Sequence, residues 1–361
     1  MNQSCAKRSL FANFLVELLW ICSALMVGLG CGGIVAWSVG ESPIHVIRVI
    51  LDGAFGTSYD VGMVVYFATI LICTGLAVAL PLQIGNFNIG AEGQTLMGAF
   101  AAGLVGAYGP SSWSNSFSVF AAISAGILAS GLWGSISAAI RSFKGGHEVI
   151  SSIMLNFIAA GLTSWLVVAF FQAADSQIPE TKTINSNYQL LRFPMFDGAP
   201  ATMVVLVALC VTIVFWLFLD KTRWGFQVKA IRQSPAAAAR AGYNSNKSMF
   251  WVFTVGSSIC GIAGAVMVLG ESWRFRLEIS DGFGFLGIPV ALLGRGRPLG
   301  IVLAAILFAV LHHGAMLLDI ESTKVGRDVA QVIEALIVLS VVSVPPFVQW
   351  LKTKLSIGLH P

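Results

Sequence analysis

From Phe11 almost to the C-terminus, long apolar runs with at most one Asp, Glu, Lys or Arg each follow one another with only short charged or turn-rich breaks between them. A bilayer core of about 30 Å takes roughly 20 apolar residues per helix, and a chain that offers such runs repeatedly has one stable place for them. In lipid every backbone N–H and C=O needs a partner within the protein, so runs of this length read as helices. Charged residues make up only 11% of the chain, against about a quarter in a soluble domain, too few to cover a water-facing surface. The class implied is an all-α integral membrane protein.

The runs fall near 11–38, 61–80, 87–108, 117–140 and 149–171 in the first half, then 201–219, 249–270, 283–293, 299–318 and 329–347. That makes about ten transmembrane helices in a single membrane domain covering 1–361. The first run follows Lys7 and Arg8 as a signal peptide would, but it is too long and lacks an Ala-x-Ala cleavage site, so it reads as an uncleaved span. The eighth is too short to cross without help from its flanks. With the N-terminus in the cytoplasm, two thirds of the 21 Lys and Arg fall on cytoplasmic loops, among them Arg141, Lys144, the group from Lys221 to Lys247, Arg295 and Arg297. Ten crossings then leave the C-terminus cytoplasmic too, and losing the eighth would weaken the positive-inside bias.

Small residues recur every fourth position in two runs, as Gly126, Ser130, Gly134 and Ala138 and as Ser257, Gly261 and Ala265. Such stripes let helices approach closely and predict a tight bundle. Five of the six cysteines lie inside apolar runs without metal-type spacing. There is no Gly-x-x-x-x-Gly-Lys-Ser/Thr phosphate loop, no nucleophile elbow and no His-Glu-x-x-His. A non-catalytic chain is expected, with no catalytic residue, no metal site and no ATP hydrolysis of its own.

Ionisable groups within lipid are costly and point to function. The spans hold Glu17, Glu92 and Glu334, with His312 and His313 near the end of the ninth. Glu17 is close enough to the first span's entry to snorkel to the headgroups. Glu92 stands in a polar and glycine-rich cluster, GNFNIGAEGQ at 85–94. Asn86, Asn88, Glu92 and Gln94 offer amide and carboxylate groups, while Gly85, Gly90 and Gly93 allow close backbone approach. Two readings stand: these residues, with Phe87, line a substrate path, or they form a helix-entry network that satisfies itself. Pro289, flanked by Gly284, Gly287 and Gly294, predicts a broken eighth helix bordering the same path.

Outside the membrane two segments stand out. In KAIRQSPAAAARAGYN (229–244) Ser234 can N-cap, Pro235 suits the first helical position, Ala236 to Ala239 propagate and Gly242 can end the turn. A short helix with a featureless alanine face results, suited to docking in a groove, with Arg232, Arg240 and Lys247 adding positive charge. The long polar loop at 172–200 has room for a small amphipathic helix or a contact surface for another protein.

GNFNIGAEGQTLMGA (85–99), GGHEVISSIMLNFIA (145–159), KAIRQSPAAAARAGYN (229–244) and GFGFLGIPVALLGRGRPLG (282–300) resemble, in order, the signature blocks of nucleoside and simple-sugar permeases of the ribose/branched-chain-amino-acid ABC importer class. The sequence departs from that pattern at Gln233 and Ser234 and at Pro289. The resemblance implies an alternating-access permease of the bacterial inner membrane that takes up a neutral nucleoside or related sugar. It makes 229–244 a cytoplasmic coupling segment in which Arg232, Ser234, Pro235, Ala238, Arg240 and Gly242 engage an ABC ATPase. That ATPase, tandem in this class, would carry ATP with Mg, and this chain no cofactor. A second related permease in a heterodimer, or a second copy in a homodimer, and an extracytoplasmic substrate-binding protein docking on 172–200 complete the implied assembly, with no nucleic acid. The rival is a stand-alone proton- or ion-coupled secondary transporter using Glu92, Glu334, His312 and His313 as relay groups.

Overall fold

The computed structural model describes residues 40–321 without a break, with scattered positions on either side. Glu17, Glu334 and most of the runs 11–38 and 329–347 lie outside the described residues. Within 40–321 eleven α-helices follow in order. They are α1 (Pro43–Phe55), α2 (Ser58–Leu82), α3 (Ala91–Tyr108), α4 (Asn115–Lys144), α5 (Glu148–Leu166), α6 (Val204–Lys221), α7 (Arg223–Gln233), α8 (Pro235–Arg240), α9 (Ser245–Val266), α10 (Phe283–Leu293) and α11 (Pro298–Glu321). Wider π-type turns extend α5 to Phe171 and α9 to Ser272. Among the described residues there is no β-ladder, only isolated bridges.

Six of these helices are long and apolar enough to cross a membrane: α2, α4, α5 with its extension, α6, α9 with its extension, and α11. Two further runs behave differently. α3 carries Glu92 and Gln94 in its first turn. α10 has 11 residues, which at 1.5 Å per residue is about 16 Å, half a hydrocarbon core. The stretch between the first and second apolar runs is helical over Pro43–Phe55, with Pro43 in the first turn of α1.

The chain divides into two compact units, 62–306 and the two flanks 1–61 and 307–361. In the larger unit the core is a seam of α3, α4 and α9 closed by glycine. A Cβ on Gly98 would lie 2.6 Å from Gly261 Cα, one on Gly126 would lie 2.9 Å from Gly261 O, and one on Gly264 would strike the backbone of Thr95 and Ala99. The two stripes of small residues therefore face each other: Gly134 lies against Ser257, and the Ser130 hydroxyl is 2.8 Å from Gln94 O and 2.9 Å from Ser257 O. Of the cysteines read as core residues, Cys73 and Cys260 are buried while Cys210 is exposed on α6.

The loop that follows α5 forms no α-helix; it carries two short 3-10 turns, at 186–188 and 194–196. It is stitched to the segment after α9 by Thr181 N–H to Phe275 O at 3.0 Å, Ile184 N–H to Trp273 O at 2.9 Å and Leu190 N–H to Leu269 O at 2.9 Å. Arg274 meets Glu180 at 2.6 Å, and Tyr188 is fully buried beneath.

In the smaller unit α1 lies against α11. Gly53 faces Leu317 and Gly314, and Gly314 faces Ile50. His313 Nε2 stands 3.1 Å from Asp60 Oδ1, with both side chains largely buried.

Candidate functional site

Pro81 ends the regular part of α2, and the chain then doubles back through a left-handed Gly85 (φ 89°). The Asn88 amide reaches Ala77 O at 3.3 Å, so residues 83–90 lie beside the last turns of α2. Consequently α3 begins about a turn and a half short of the end of its neighbour. α10 runs parallel to α2: the Phe283 ring stacks on Phe67 at 5.3 Å, Gly287 faces Thr74, and Gln83 Nε2 donates to Gly296 O at 3.0 Å. Its first turn meets the first turn of α3 so closely that a Cβ on Gly284 would fall on the backbone of Ala91 and Glu92.

Two helix N-termini therefore abut within the bundle. Each leaves N–H groups without intrahelical partners and carries partial positive charge. Side chains meet those groups. The Glu92 carboxylate accepts from Gly284 N–H at 2.9 Å, from Gly282 N–H at 3.2 Å and from the Ser280 hydroxyl. Asn156 of α5 accepts from Gly93 N–H at 2.9 Å and donates to Ile89 O at 3.0 Å. Asn88 accepts from Gly90 N–H at 3.0 Å, and its amide pairs reciprocally with that of Gln94 through two 3.0 Å hydrogen bonds. Asn86, Asn88 and Gln94 are all buried, and Phe87 is half-buried. One group is left over: Asn86 Oδ1 is buried with no hydrogen-bond partner.

The structure thus gathers Asn86, Asn88, Glu92 and Gln94 into one cluster, and within it the self-satisfying network describes all but Asn86. Pro289 lies inside α10, which runs unbroken from Phe283 to Leu293, so the break expected there is not found. A proline removes one hydrogen bond from a helix interior; here the short helix is held at one end by Glu92 and along its side by α2 through Gly287. The chain instead turns just beyond, at Gly294–Gly296, where Gly294 and Gly300 are in backbone contact. Sequence reasoning missed Ser280 and Asn156, although an amide inside the run 149–171 is a signal in itself. It also missed Asp60, whose partner His313 it had singled out.

The segment at 229–244 begins within α7 and breaks at Ser234. The Ser234 hydroxyl accepts from Ala237 N–H at 3.3 Å, Pro235 opens α8, and Gly242 (φ 85°) closes it, with Tyr243 N–H to Ala238 O at 3.0 Å. Asn244 then caps α9 through Lys247 N–H at 3.0 Å. Ala238 is buried against the chain itself, whereas Ala236, Ala237, Ala239, Arg232 and Arg240 are exposed.

The family described as branched-chain amino acid transport system / permease component matches residues 61–342. The chain belongs to this permease family. Three relatives share most of its length. The guanosine ABC transporter permease protein NupP of Bacillus subtilis (strain 168) is 32% identical over 338 residues, 92% of this chain and 94% of its own. The glucose ABC transporter permease protein TsgB13 of Haloferax volcanii is 29% identical over 333 residues, 88% and 85% of the two chains. The nucleoside ABC transporter permease protein NupB of Lactococcus lactis subsp. cremoris is 26% identical over 322 residues, 87% and 88%. No solved structure matches the chain. The stretch matched by the permease family takes in the abutting starts of α3 and α10 as well as α7 and α8.

Proposed function

We propose that this permease is the membrane-spanning subunit of an ATP-driven importer of the bacterial inner membrane and carries nucleosides or related simple sugars by alternating access. The observation that carries the reading is the family match over 61–342, joined by relatives named for guanosine, nucleoside and glucose transport. An uncharged solute fits the cluster: its one carboxylate, Glu92, is engaged by the start of α10, and the buried acceptor left over, Asn86 Oδ1, suits a sugar hydroxyl or a base N–H.

Energy enters from a separate ATPase. α8 is the contact: a capped helix outside the spans that exposes Ala236, Ala237 and Ala239 beside Arg232 and Arg240. A smooth face of this kind seats closely in a cleft, and closure of the ATPase on ATP moves it as a lever on α7 and α9. The partner permease and the substrate-binding protein complete the assembly, the latter on the loop 172–203 that Arg274, Glu180 and Tyr188 hold in shape. The family match and the engagement of Glu92 and His313 with fixed partners favour this reading over a stand-alone proton-coupled carrier.

The test is uptake of labelled guanosine, uridine and glucose into proteoliposomes holding the permease with its ATPase, second permease and binding protein. ATP-dependent uptake is expected, and Ala239→Trp, on the exposed face of α8, should abolish it while leaving the melting temperature unchanged. Uptake by the permease alone, driven by a proton gradient and indifferent to ATP and to that substitution, would overturn the reading.

A further inference from the structure

α6 ends at Lys221 and α7 starts at Arg223, and the corner between them is tight: a Cβ on Gly225 would strike the Phe218 and Leu219 carbonyls. Folding α7 back in this way opens a groove of about 310 Å³ walled by α6, α7 and α9, with Leu80 of α2 at its base. Phe215, Phe218, Trp224, Trp251, Val252 and Val255 line it. Its only polar side chains, Gln227 and Ser248, are bonded to each other at 2.7 Å, so the lining has little to offer a polar ligand. Trp224 and Trp251 remain 65% and 61% exposed, so the described residues leave the groove open.

What belongs there follows from what surrounds it. Two of its three walls are candidate spans, so the groove opens where hydrocarbon chains lie. Its tryptophans, close to a charged helix corner, are of the kind that collects at the membrane–water boundary. At the corner Lys221 and Arg223 are exposed, and among the described residues neither forms an ion pair, whereas nearby Lys229 is bound to Asp220 at 2.7 Å. An apolar groove beside a helix corner that carries two exposed cations, one of them next in sequence to the lining Trp224, complements one kind of molecule. We propose that the groove holds an acyl chain of an anionic phospholipid whose phosphate rests against Lys221 and Arg223.

The probe is tryptophan quenching in vesicles doped with phosphatidylglycerol or phosphatidylcholine carrying brominated acyl chains, using the full-length permease. Brominated phosphatidylglycerol should reach half-quenching at a several-fold lower mole fraction than brominated phosphatidylcholine. That difference should vanish in the Trp224→Phe/Trp251→Phe double variant, which removes the two groove reporters and leaves the other eight of the ten tryptophans as the reference. It should also vanish in Lys221→Gln/Arg223→Gln, which keeps them and alters only exposed side chains. Equal quenching by the two lipids, or a difference that survives either double variant, would overturn the proposal. So would efficient crosslinking of Trp224→Cys to a neighbouring chain in the membrane, since the groove would then be covered by protein.

Discussion

At the scale of single residues, a carboxylate inside an apolar helix is tolerable only where donors surround it, and Glu92 has two backbone amides and a hydroxyl. Removing it strands those donors in a buried site, at a cost of about 1–3 kcal/mol. Glu92→Ala is therefore expected to lower stability by that amount in denaturant unfolding in micelles, and Glu92→Gln, which keeps one acceptor oxygen, by less. The same pair separates a cap from a proton relay. A cap predicts that Gln retains part of the uptake that Ala loses, whereas a relay that must ionise would fail equally in both. The sequence made Glu92 and its amide neighbours conspicuous by type. It could not assign their partners, because Asn156 is 63 positions from Gly93 and Gly282 is 190 from Glu92. Local patterns carry no information about which distant backbone a side chain will meet, so the hydrogen-bond partners of the cluster were not legible until α5 and α10 were in place.

Between elements the legible quantity was spacing. Small residues every fourth position mark a helix face for close approach, and the stripes on α4 and α9 do meet one another, with Gly98 of α3 completing the seam. What spacing cannot give is how little room is left. A Cβ on Gly261 would collide with the backbone of Gly126 and Ile127, which cannot move aside as a flexible side chain would, whereas nothing lies within 4 Å of one on Gly161 in α5. Gly261→Ala should accordingly destabilise by about 1–3 kcal/mol through overpacking. Gly161→Ala should be neutral or stabilising by about 0.5–1 kcal/mol, because alanine restricts the unfolded chain and favours helix. Thermal unfolding of the two variants side by side in micelles measures the contrast, and similar midpoints would mean that the seam is not a rigid contact. The proline in α10 teaches the converse. Pro289 was visible as a helix breaker, but the cost of one missing hydrogen bond is set by what holds the rest of the helix, and Gly284 against Glu92 and Gly287 against Thr74 hold it whole.

For the whole molecule, the apolar runs located every long helix among the described residues, yet which of them cross depends on length against bilayer thickness, and α10 is only half long enough. Orientation can still be argued without settling α10. The loop 172–203 and the α7–α8 segment are separated by α6 alone, whose 18 residues span about 27 Å. A single crossing by α6 would put them on opposite faces. Lys221, Arg223, Lys229, Arg232, Arg240 and Lys247 gather on the α7–α8 side, against Lys182 and Arg192, with Arg274 and Arg276 of the segment paired to the loop, on the other. Positive residues are retained in the cytoplasm, so the proposed function expects α8 on the side of the ATPase and the loop on the side of the binding protein. Both Leu191 and Ala239 are exposed. In intact cells a membrane-impermeant maleimide should label Leu191→Cys at once and Ala239→Cys only after permeabilisation, measured against the native cysteine background. The reverse order would place α8 outside, and a permease whose coupling helix faced away from the nucleotide pool could not be driven by ATP at all.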